Sequence, residues 1–136
     1  MAELPFRFLF VAITAALIGM SAGIFMAIMQ DFTLAPAHAH LNLLGWVTMA
    51  LYGLYYRAVP EAAAGPLPQV HFWLATLGVT LMVPGIGLVM LGHSAAEPVI
   101  AVGALMVVGA MTVFAIVVVR SRYVVAAARR GVRVSV

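Results

Sequence analysis

In the stretch Pro36-Ala-His-Ala-His-Leu-Asn-Leu-Leu-Gly-Trp46, His38, His40 and Asn42 alternate with apolar residues where a long apolar run begins. Imidazole nitrogens are common metal ligands, and polar groups at the edge of lipid are costly to keep and mark function. The chemistry these residue types suit is a bound metal or a heme. His38, His40 and His93 are the candidate ligands.

The rest of the composition says what must position them. The chain has 136 residues, 65% hydrophobic and 8% charged, with a mean hydropathy of +1.15. A soluble domain carries roughly 25% charged residues, so this chain has too few to cover a surface facing water. A membrane span needs about 20 mostly apolar residues, and four stretches qualify: 6–29, 37–56, 70–91 and 99–119. The fold class expected is all-α, an integral membrane four-helix up-down bundle forming a single domain over 1–136. The first apolar run exceeds the about 7–15 residues of a signal-peptide core, and no small-residue cleavage site follows, so it reads as a retained helix.

Charge gives an orientation. Arg120, Arg122, Arg129, Arg130 and Arg133 follow the last span, Arg7 precedes the first and Arg57 ends the second. The connections around Asp31 and Glu97 carry no Lys or Arg. The positive-inside rule then puts both termini and the 58–69 loop on the cytoplasmic side. The net charge of +3 belongs to this topology and implies no nucleic acid. Absence of cysteine excludes disulfides, thiolate metal sites, iron–sulfur clusters and covalent c-type heme.

Pro5 and Pro36 suit first helical turns, Gln30-Asp31-Phe32-Thr33 an outer turn, and Gly92-His93-Ser94 before Pro98 another. Pro84 falls inside the third span, where it kinks a helix and can open space beside it. Ala12, Ala16, Gly19, Gly23 and Ala27 form a small-residue stripe on the first helix, and Ala75, Gly78 and Gly85 another on the third. Such stripes let membrane helices approach closely, within a bundle or in a homo-oligomer, a dimer being expected.

This topology sets His38, His40 and His93 at the outer side. His71 lies roughly 33 Å from His93 along the third helix, too far to join them, and reads as a structural residue, solvated or capping at the interface. Residues two apart on a helix diverge by about 200°, so His38 and His40 serve different faces. His38 shares a face with Asn42, Gly45, Met49, Tyr52, Gly53 and Tyr56, small and polar enough to face a bundle interior. His40 shares one with Leu43, Leu44, Val47 and Leu51, which would meet lipid, a partner protomer or a porphyrin.

His40-Leu-Asn42-Leu-Leu-Gly-Trp46, followed by Gly53-Leu-Tyr55-Tyr56 and Pro60-Glu61, resembles the second helix of the catalytic subunit of nitric oxide reductases and heme–copper oxidases. It also resembles short four-helix proteins described as oxidase subunit I-like, which open this helix with Pro-Ala-His-x-His. The resemblance implies that His40 binds a low-spin heme b. It also implies a bacterial inner (plasma) membrane and a respiratory-chain redox partner. The large subunits carry further histidines on later helices that are not found here, so a complete oxidase or reductase is not expected.

A second axial ligand is expected from His93, from Met26, Met29 or Met90, or from a partner protomer. Gln30, Asn42, Trp46 and Ser94 are the donors available to heme propionates. Three functions follow: heme b in electron transfer or in binding nitric oxide or oxygen; copper held by His38, His40, His93 and methionines; or a metal-free accessory subunit of a respiratory complex.

Overall fold

The computed structural model describes residues 3–129, and among them all regular structure is helical. Arg130 and Arg133 of the basic tail lie outside the described residues. Helix α1 is Glu3–Met29, with Glu3 in its first turn, where the helix dipole favours an acid. The second helix, α2, runs through three consecutive segments: Ala35–His40, a π-helical stretch Leu41–Thr48, and Met49–Ala58. A short 3-10 turn, Pro60–Ala63, leads to α3, Leu67–Met90. A second, Ser94–Ala96, leads to α4, Glu97–Arg129.

Three helices, Glu3–Met29, Leu67–Met90 and the stretch Ser94–Tyr123, are long and apolar enough to cross a membrane. The helices overrun the apolar runs that announce them. α1 starts at Glu3 rather than residue 6, and α4 passes Val119 and continues through Arg120 and Arg122. Hydropathy ends where lipid ends, but Arg is a good helix former and the backbone ladder has no reason to stop there.

Contacts at the glycines set the packing. A Cβ on Gly23 would touch His38, one on Gly19 would touch Asn42, and one on Gly45 would touch Ala15, so α1 and α2 run antiparallel. Gly78 lies against Val107 and Gly85 against Ile100, so α3 and α4 do the same. At Gly103 the backbones come closest: a Cβ there would lie 2.7 Å from the Met82 amide nitrogen. Gly19 and Gly23 of the first stripe and Gly78 and Gly85 of the other are therefore packed against neighbouring helices within the protomer.

The core is concentrated toward the end of the bundle that holds Arg7. Leu4, Phe8 and Ala12 of α1 meet Met49, Tyr52 and Tyr56 of α2, Phe72, Ala75 and Val79 of α3, and Ala110 and Val117 of α4. The outward faces are apolar, with Phe10, Leu17, Ile24, Leu105 and Val108 all exposed, as lipid contact requires.

Candidate functional site

The π-helical stretch begins immediately after His40. Its wider turn is visible at Thr48, whose hydroxyl donates to the Leu43 carbonyl five residues back at 2.8 Å. Such turns are rare and concentrate at functional sites. Gly45, Met49, Tyr52, Gly53 and Tyr56 are buried, whereas Leu43, Val47 and Leu51 are exposed. Leu44, grouped from sequence with the outward face, is half-buried and packs on the core.

His38 and Asn42 are half-buried on the inner side, each seated on a glycine of α1. The Asn42 amide donates to the His38 carbonyl at 2.9 Å and lies 3.3 Å from His38 Nδ1. His38 is thus held in the α1–α2 seam, between Gly23 and the Asn42 amide. A bulky ligand has no room there without opening the seam.

His40 faces the other way and is exposed. Its Nδ1 lies 2.8 Å from the Pro36 carbonyl oxygen, one turn back. An N–H at Nδ1 donating to that carbonyl leaves Nε2 with its lone pair free. This is the tautomer and the backbone anchor that metal-bound histidines commonly have. Leu43 and Val47 lie exposed further along the helix, and Trp46 is 37% exposed.

His93 caps the Ser94–Ala96 turn and is exposed. It follows the end of α3 at which Gly87 approaches Leu34 and Ala37, so it lies at the same end of the molecule as His38 and His40. The three do not form one ligand cluster. Among the described residues, no group of three or more His, Cys, Asp or Glu side chains could hold a metal ion together. Of the alternative sulfur ligands, Met26 is buried and Met29 and Met90 are exposed.

Two of the proposed propionate donors are already engaged. The Gln30 amide donates to the Ala27 carbonyl at 2.6 Å, closing the end of α1, and the Asn42 amide is spent on His38. In the same turn between α1 and α2, Asp31 accepts from the Thr33 hydroxyl at 2.6 Å and the Thr33 amide at 2.9 Å. These bonds hold its carboxyl below the usual value, the hydroxyl contributing most.

His71 is the largest departure from the sequence reading. It is 0% exposed, boxed by Phe8, Tyr52, Tyr56 and Phe114 with ring centroids 4.3–5.8 Å away. The Tyr56 hydroxyl lies 2.9 Å from its Nδ1, and its Nε2 meets no hydrogen-bond partner. It is neither solvated nor a cap. The helical face carrying Tyr52 and Tyr56 was legible in sequence, but their meeting with a residue of α3 required the tertiary fold.

A cavity of about 410 Å³ opens between α1 and α3. Phe10 and Ile18 form its exposed rim, Ala15, Gly45 and Val79 its floor, and Pro84 one end. Neither His38 nor His40 lines it.

No family model matches the chain, and no solved structure matches it. Among curated proteins it is similar to the Cbb3-type cytochrome c oxidase subunit CcoN1 of Stutzerimonas stutzeri, 34% identical over 90 residues. The match takes in 54% of this chain and 19% of the length of that subunit. The chain is a multi-helix membrane protein distantly related to a subunit of a Cbb3-type cytochrome c oxidase.

Proposed function

We propose that the chain binds heme b at the outer face of a bacterial inner membrane, with His40 as an axial ligand. Electron transfer, or binding of nitric oxide or oxygen, is the role this site serves. The observation that carries the reading is the His40 ring, exposed on α2 with Nδ1 anchored on the Pro36 carbonyl. The exposed Leu43, Trp46 and Val47 supply apolar surface along the same helix. The distant relationship to an oxidase subunit supports the same choice.

The residues fit one axial ligand better than two. His38 is confined in the α1–α2 seam and serves to pack that seam. A second ligand comes from His93, at the same end, or from outside this chain, for which the outward face of His40 leaves room. Bound heme supplies an iron that cycles between two oxidation states, and the axial ligands tune its potential. The protein's own part is to fix the His40 tautomer and to keep water from the apolar side of the ring. The basic residues Arg7, Arg57, Arg120 and Arg122 orient this end outward by standing at the cytoplasmic side.

The test is the absorption spectrum of detergent-purified protein, oxidised and dithionite-reduced, with a pyridine hemochrome assay. A b-type spectrum is expected, and its change under carbon monoxide reports an open coordination position. Protein that stays colourless after reconstitution with hemin overturns the reading. Copper bound without porphyrin absorbance would support the histidine–methionine alternative instead.

A further inference from the structure

At the opposite end from His40, a cleft of about 620 Å³ lies between the Pro60–Ala63 turn, the start of α3 and α4 near its basic residues. Leu67, Val70 and Val117 line it together with Glu61 and Arg120. Arg120 stands where the apolar run of α4 ends, so the cleft straddles the boundary between hydrocarbon and headgroups. Val70 is exposed and Val117 is buried. The two charged residues come from different elements and carry opposite signs.

We propose that this cleft binds one zwitterionic phospholipid with a free ammonium headgroup, of the phosphatidylethanolamine class. The Arg120 guanidinium donates to the phosphate, a pairing its forked geometry suits. The Glu61 carboxylate accepts from the ammonium. An acyl chain follows Val70 and Val117 into the bilayer. Charge complementarity decides the occupant. A purely anionic headgroup would place its charge beside Glu61, and a choline headgroup offers no N–H to donate.

The experiment uses the full chain, delipidated in detergent, and native mass spectrometry with three probes of identical acyl chains: phosphatidylethanolamine, phosphatidylcholine and phosphatidylglycerol. Phosphatidylethanolamine is expected to bind about tenfold tighter than phosphatidylcholine, the worth of one charge-assisted hydrogen bond. Glu61→Gln removes that preference, and Arg120→Gln weakens phosphatidylethanolamine. Both side chains are exposed, and unchanged melting temperatures establish that the variants fold. Equal binding of the ethanolamine and choline lipids overturns the proposal, as does a preference that survives Glu61→Gln. So does tightest binding by phosphatidylglycerol, which would make the cleft a plain anion site, or indifference to Arg120→Gln.

Discussion

The Tyr56 hydroxyl is hydrogen-bonded to His71 Nδ1 across 2.9 Å, joining α2 to α3 inside a box of aromatic rings. Buried hydrogen bonds contribute modestly when made and cost more when one partner is left alone. Tyr56→Phe leaves Nδ1 unpaired and is expected to lower stability by about 1–3 kcal/mol. Replacing both partners, with His71→Leu added, should recover part of that loss. A double-mutant cycle of unfolding in detergent measures it, and strictly additive losses would show that the bond contributes nothing.

His40 and His38 are predicted to separate cleanly. His40→Ala should abolish the Soret band while leaving the melting temperature near that of the parent, since the ring is exposed. His38→Ala should keep the band and loosen the α1–α2 seam at Gly23. The reverse pattern would make the seam histidine the ligand. Spectra and melting curves of the two variants decide it.

Two glycines of α4 should respond in opposite directions. Gly103→Ala places a methyl group on the α3 backbone, 2.7 Å from the Met82 nitrogen and 2.8 Å from the Gly78 oxygen. Backbone cannot swing aside, so the helices must part, at a cost of about 1–3 kcal/mol or more. A Cβ on Gly109 meets nothing within 4 Å, so Gly109→Ala should be neutral or gain up to about 1 kcal/mol in helix propensity. Thermal unfolding of both variants checks the ordering.

The turn between α1 and α2 carries a pH dependence of definite sign. Asp31 is held below the ordinary carboxyl value of 3.8 by the Thr33 hydroxyl and then the Thr33 amide. A depressed carboxyl pKa supports the folded turn above the unfolded value, and that support is lost as pH falls through the folded one. The Thr33 amide resonance should therefore titrate with a midpoint below 3.8 and stop doing so in Asp31→Asn. A midpoint above 3.8 would contradict the hydrogen bonds.

The sequence by itself determined the medium and the elements. A chain 65% hydrophobic and 8% charged has no other solvent than lipid, and its turn residues divide it into four helical stretches. It also determined that His38 and His40 face apart, because helix geometry separates neighbours two residues apart whatever they pack against. It pointed to Gly45, Met49, Tyr52, Gly53 and Tyr56 as one inward face for the same reason.

Only the tertiary structure decided what each face meets. The small-residue stripes do not name their partners, and close approach to Asn42, His38 and Val107 shows what Gly19, Gly23 and Gly78 meet within the protomer. His71 read as an interfacial residue because hydropathy and position along a helix are local, while burial depends on Phe8 and Phe114, distant in sequence. The π-helical stretch after His40 was not legible either, since no local residue type demands the wider turn. Helical periodicity is a property of neighbouring residues. Burial, cavities and the placing of Glu61 and Arg120 on one cleft arise only when distant segments are brought together.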